Sequence, residues 1–314
     1  MSDQRGFLNE GLRRVWRYQR VVWWMFVVNL VLAILGATPG MERMHQVADH
    51  SLQSRRLVDT FDVGDFSELA SNPEVNLFAS HGASLHFAIV FFVFALFLTG
   101  GILDAYRADR RLTTREFFEA CGSYFWRWVR LLILMGIVLI PVCMLGSFVW
   151  KESGTLLDDA THEKTGYAFF VGGMGVVGLL AMFVRLWFDM AQVRAVVEEE
   201  TAMWSNTVRA FRLTIDNFSA LFWMYLQISL LGWLVFAAGL YVWAKMPPAR
   251  FEWTIFFLEI VVLCGFGMRL WQRACEMTWY QRKFLIPAVT GAPVGPPPST
   301  PLVTIAPPPA APQP

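Results

Sequence analysis

Residues 131–150 read LLILMGIVLIPVCMLGSFVW, twenty positions without a charge. As a helix rising ~1.5 Å per residue, this run is about 30 Å long, the thickness of a bilayer's hydrocarbon core. Five more apolar runs surround it: Val21–Gly36, Leu85–Leu103, Ala168–Phe188, Leu221–Trp243 and Thr254–Met268. The expected fold class is therefore all-α, a polytopic membrane bundle of six transmembrane helices. The composition agrees. Of 314 residues, 55% are hydrophobic and the mean hydropathy is +0.43, which excludes an ordinary soluble domain.

Charge placement orients the bundle. The formal net charge is only +1, so no nucleic-acid partner is indicated. With both termini cytoplasmic, the inner segments collect 19 of the 26 basic residues, and all four inner segments contribute. The outer segments hold only Arg43, Arg55, Arg56, Lys151, Lys164, Lys245 and Arg250. By the positive-inside rule both ends face the cytoplasm. The first run follows Arg13-Arg14 and contains Trp23 and Trp24 with no small-x-small cleavage site after it, so it reads as a retained signal anchor. The four cysteines all fall within spans or on the inner side, and no disulfide framework is expected.

The expected organisation is a cytoplasmic amphipathic helix at 1–20, a six-helix transmembrane domain at 21–285 with outer loops at 37–84, 151–167 and 244–253, and a tail at 286–314. From Pro287 onward the tail has 11 prolines in 28 residues and no charge, the composition of a disordered or polyproline-like segment. In the first outer loop, His50–Asp62 is expected to form a short helix.

Each inner connection carries an amphipathic stretch expected to lie in the headgroup plane. After a capping box at Thr113-x-x-Glu116, Phe117, Phe118, Cys121, Phe125, Trp128, Val129 and Leu132 recur at helical spacing. Between spans 4 and 5 the stripe is Trp204, Val208, Phe211, Ile215, Phe218 and Phe222. Near the N-terminus it is Leu8, Leu12, Val15 and Trp16. The result is a repeat of span, interfacial helix and span in one orientation, unlike an inverted transporter repeat. Span 4 places Gly172, Gly175, Gly178 and Ala181 at every third position and is expected to be the packing centre. Pro141 is expected to kink span 3.

Ionisable groups in or near the spans are the candidate site residues, because a charge in lipid is costly. Glu259 lies within span 6. Arg185 and Asp189 are four apart on span 4, so they can pair on one helix face. Asp104 and Arg269 sit at similar inner depths and are expected to pair between helices. All five histidines fall on the outer side. His45, His50, His81 and His86 are the candidate metal or haem ligands, but both pairs are five apart, a poor same-face spacing, and hydrogen-bonded or solvated histidines are the expected reading. No metal or other cofactor is expected. No phosphate-binding loop, nucleophile elbow or zinc-protease motif occurs, so no enzyme activity is expected.

The pattern Gly100-Gly101-Ile102-Leu103-Asp104, followed by Thr114-Arg115-Glu116-Phe117-Phe118-Glu119-Ala120-Cys121-Gly122-x-Tyr124-Phe125-Trp126-Arg127, resembles a group of six-span bacterial integral membrane proteins. These are similar to the membrane domain fused to some bacterial glycerophosphodiester phosphodiesterases. Asp189–Arg194 with Val196-Val197-Glu198, and Asp49-His50-Ser51-Leu52 with Phe61-Asp62, fit the same pattern. The likeness covers roughly residues 5–285. It implies a helical bundle in a bacterial plasma (inner) membrane. The phosphodiesterase catalytic domain has no counterpart here, so no catalytic residue carries over. The functional expectation is a non-enzymatic scaffold or accessory subunit, or a membrane-shaping protein, with the lipid bilayer and other membrane subunits as partners. The alternative is a small transporter or lipid-handling permease with a polar cleft near Glu259.

Overall fold

A computed structural model describes residues 2–48, 77–158, 163–246 and 251–285. The chain is all-helical among these residues. In order, the helices are α1 (Ser2–Arg17), α2 (Gln19–Ala48), α3 (Leu77–Ala108), α4 (Thr114–Asp158), α5 (Glu163–Val197), α6 (Met203–Asp216), α7 (Phe218–Lys245) and α8 (Phe251–Tyr280), with a π turn at Gln281–Leu285. Six of them, α2, α3, α4, α5, α7 and α8, are long and apolar enough to cross a membrane. The helices reach further than the sequence reading placed the outer loops. α2 runs on to Ala48, α3 starts at Leu77, and α4 ends at Asp158. The predicted helix at His50–Asp62 and the Pro-rich tail lie outside the described residues.

Side chains are buried mainly at one end of the bundle. That core contains Leu98, Leu103 and Tyr106 of α3, Trp128 and Leu131 of α4, Leu186 and Phe188 of α5, Leu221 of α7, and Leu270 and Met277 of α8. Neighbours in the bundle follow the order α7, α8, α2, α3, α4, α5, and α1 packs on α8. The α3–α4 contact depends on Gly100 and Gly101. A Cβ on Gly101 would fall 2.8 Å from the Phe117 carbonyl oxygen and 2.6 Å from the Cys121 sulfur. Only a missing side chain permits so close a backbone approach.

The same end is tied by polar contacts. Arg14, 7% exposed, donates to the Tyr106 carbonyl at 3.1 Å and to Gln281 Oε1 at 2.9 Å, and pairs with Glu10 at 3.3 Å. Gln281 in turn donates to the Arg107 carbonyl at 3.1 Å, and Arg282 pairs with Glu10. These bonds join the N-terminal helix, the end of α3 and the end of α8, and satisfy carbonyls that a helix end leaves without partners. This is the capped end of the bundle.

The repeat is visible here in two helix endings. Asp109 after α3 and Glu199 after α5 both adopt left-handed backbone, with φ of 46° and 52°. Each acid then receives an arginine from the preceding hairpin: Arg17 pairs with Asp109 at 2.8 Å, and Arg107 with Glu199 at 2.7 Å. The capping box at the start of α4 forms as the spacing requires. The Glu116 amide donates to Thr113 Oγ1 at 3.3 Å, and the Thr113 amide to Glu116 Oε2 at 2.8 Å.

Two packing expectations change, and α6 packs through a polar face that the sequence reading did not identify. The stretch after Thr113 does not turn into span 3; it is the first part of one unbroken 45-residue helix that also continues through Pro141. α6 runs alongside α5 in the opposite sense, with Asn206 donating to the Ala191 carbonyl and Trp187 to the Thr207 carbonyl, both at 2.8 Å. Its buried face is Met203, Asn206, Thr207, Ala210 and Thr214, while Trp204, Val208 and Ile215 are exposed. Span 4 is not a packing centre along its glycine stripe. A Cβ on Gly172, Gly175 or Gly178 would meet nothing within 4 Å, and only Gly173 packs closely, against Val149.

Exposed aromatics cluster at both ends of the spans, with Trp233 of α7 the exception midway between them. On α4 they are Trp126 and Trp150, about 36 Å apart along the axis, and on α7 Trp223 and Trp243, about 30 Å apart. Trp253 on α8 and Tyr167 on α5 join the cluster far from the capped end, and Trp23 on α2 joins the near one. Tryptophan and tyrosine favour the headgroup level, so the two clusters mark a slab of bilayer thickness.

Candidate functional site

Between α2, α3, α4, α5 and α8 lies a cavity of about 600 Å³. Its wall on α3 runs from Ala88 to Ile102, about 21 Å along the helix. Phe91, Phe92 and Leu96 of α3, with Leu132, Met135 and Leu139 of α4, make this wall apolar. Polar groups gather towards the capped end: Arg185, Asp189 and Gln192 of α5, Arg269 and Arg273 of α8, and Thr99 of α3. The volume is that of an ordinary small-molecule pocket.

The three arginines have different surroundings. Arg185 pairs with Asp189 at 3.8 Å and lies over the Tyr225 ring, 5.5 Å from its centroid. The i,i+4 pairing expected of span 4 is thus present. Arg269 and Arg273 stand one turn apart on α8, and neither makes a hydrogen bond or ion pair among the described residues. Beneath them Glu276, 1% exposed, accepts a hydrogen bond from Gln272 at 3.0 Å, and its other oxygen has no partner. Arg185 is two residues from Trp187, and Arg269 is two residues from Trp271. The cationic floor lies about 24 Å along α8 from Trp253, towards the capped end.

The other site residues fall elsewhere. Asp104 does not reach Arg269. It pairs with Arg107 on its own helix at 2.9 Å, an i,i+3 contact that is closer at hand than any partner across the bundle. Glu259 does not line the cavity: it is on α8 about 15 Å from Arg269 along the axis, half-buried, with one oxygen shielded and without a hydrogen bond. The predicted cleft near Glu259 is thus displaced by three helical turns, to the floor around Arg269. His86 is exposed near the start of the α3 span. His45 and His81 fall within α2 and α3, and His50 lies outside the described residues. Among the described residues no three His, Cys, Asp or Glu side chains converge as metal ligands. Sequence reading missed Arg273 and Gln192. Their signal was helical spacing: Arg269 and Arg273, like Asp189 and Gln192, are i,i+4 or i,i+3 pairs that share a face.

Under the floor, Glu198 locks α5 to α8. It pairs with Arg194 at 2.7 Å and accepts from the Tyr280 hydroxyl at 2.5 Å. The Arg194 guanidinium, aided by that hydroxyl, holds the Glu198 carboxyl below its ordinary value of 4.5. A lowered folded value means that the contribution is present above 4.5 and lost as the pH falls through the folded value. Acidification below pH 4.5 should therefore lower the unfolding midpoint in detergent. In Glu198→Gln the acid-induced drop should be smaller, and a drop equal to that of the unaltered chain would contradict this role.

No family model matches the chain, and no curated protein or solved structure does either. The likeness to phosphodiesterase membrane domains gains no support from these comparisons.

Proposed function

We propose that this chain is a lipid-handling protein of a bacterial plasma membrane, with both termini cytoplasmic and the capped end inside. Its cavity takes an amphiphile from the inner leaflet. The polar head rests between α5 and α8, and the apolar chain lies along α3 towards Ala88. One observation carries this reading: two unpaired arginines, Arg269 and Arg273, open into a cavity whose remaining wall is largely apolar. A charge at membrane depth is retained where it has a partner or a water-filled cleft, and here the protein supplies no partner. The orientation rests on the basic-residue count.

The scaffold reading expected from the sequence has no comparable feature. Exposed Trp16, Trp126 and Trp204 are accounted for by contact with headgroups and acyl chains.

Filling the cavity tests it. Ala95 lines the wall on α3 and is half-buried. Ala95→Trp should extend into the apolar part without touching the arginines. Mass spectrometry after mild detergent extraction should find about one lipid per chain on the unaltered protein and several-fold less on the variant. Equal retention by a folded variant would contradict the reading.

A further inference from the structure

We propose that the head recognised by this cavity is a phosphate that carries no cationic substituent, clamped between Arg269 and Arg273. The inference rests on the lipid-handling reading and adds the chemistry of the head. Arg185, Asp189, Gln192, Arg269, Arg273 and Thr99 line the polar end of the cavity. Arg185 and Asp189 face it from α5 and largely neutralise each other at 3.8 Å, with Tyr225 of α7 against the Arg185 guanidinium. Arg269 and Arg273 face it from α8 without a hydrogen bond or ion pair among the described residues, with Asp189 acting on Arg269 and Glu276 on Arg273 only through space. Gln192 and Thr99 are neutral. Glu276 sits behind this layer, bonded to Gln272 rather than to an arginine.

Two guanidinium forks one helical turn apart on one face of α8 offer more donors than a single fork. A tetrahedral phosphate can engage both forks, whereas a planar carboxylate is satisfied by a single fork. A choline or similar ammonium on the head would bring a cation to a floor already cationic. The apolar wall separates a lipid from free phosphate, because inorganic phosphate gains nothing from Phe91, Phe92 or Leu139.

Probes sharing one twelve-carbon chain isolate the head. The full chain, delipidated in maltoside detergent, is titrated with dodecyl phosphate, dodecanoate and dodecylphosphocholine, and separately with inorganic phosphate, following the unfolding midpoint and a competed fluorescent lipid. Dodecyl phosphate should bind at least tenfold more tightly than the other two amphiphiles. Inorganic phosphate should not compete at the same concentration. Arg269→Gln and Arg273→Gln should each weaken dodecyl phosphate about tenfold and leave dodecylphosphocholine unchanged. Equal binding of the phosphate and phosphocholine probes, or of dodecanoate, would overturn the head assignment while leaving a lipid site. Competition by inorganic phosphate alone would make this a free-anion site. Absence of binding by every amphiphile, with no lipid copurifying, would overturn the lipid-handling reading itself.

Discussion

Replacing Arg269 and Arg273 together by glutamine is expected to empty the cavity and, in the delipidated protein, to make the bundle harder to unfold. The two effects have one cause. Each guanidinium sits at membrane depth without a hydrogen bond or ion pair among the described residues. A hydrogen bond to a charged group is worth ~1.5–3 kcal/mol, so losing one such bond from each arginine should weaken an anionic lipid about 100-fold or more. Without lipid, the same charges are a liability. A central arginine costs ~2.5–3.5 kcal/mol on insertion scales and less near the interface, so their removal should stabilise the delipidated bundle by roughly 1 kcal/mol. Lipid quantification and unfolding in maltoside detergent read the two effects separately. Arginines with a structural role would give the opposite pattern, a less stable protein with its lipid retained.

Arg14→Met is expected to cost about 3 kcal/mol and to loosen α1. Arg14 is almost fully buried and serves the Tyr106 carbonyl, Gln281 and Glu10 at once. Removing one partner from such a set leaves the others desolvated, which costs more than the bonds are worth in isolation. α1 also fits α8 closely through Gly11, where a Cβ would lie 3.1 Å from the Cys275 backbone nitrogen. Hydrogen exchange should rise first across α1 and at the end of α3, with a lower unfolding midpoint. Unchanged protection of α1 would show that Arg14 does not hold it.

The six spans were legible because length and hydropathy are local properties, and residues 131–150 suffice to announce one. The capping box and the Arg185–Asp189 pair were legible for the same reason: three or four residues decide them. Packing was harder to read. The stripe Trp204, Val208 and Ile215 marks the face turned away from protein, but it does not reveal that α6 packs on α5 through Asn206, Thr207 and Ala210. In lipid, apolar bulk needs no burial, so hydrophobic periodicity alone does not say which face meets protein. The glycines of span 4 mislead similarly, since small residues permit a close contact without requiring one. Asp104 was matched with Arg269 by depth, although Arg107 stood three residues away. The cavity itself depends on how α5 and α8 are rotated about their axes, which no single helix encodes.

A lipid in the cavity would be seen directly in a high-resolution structure of the protein in native membrane particles prepared without detergent. That structure should show one elongated density in the cavity, its head between Arg269 and Arg273 and its chain following Phe91 and Phe92 towards Ala88. A cavity closed by side chains, or one with no ordered amphiphile and with both arginines turned out to the surrounding headgroups, would contradict the lipid-handling reading.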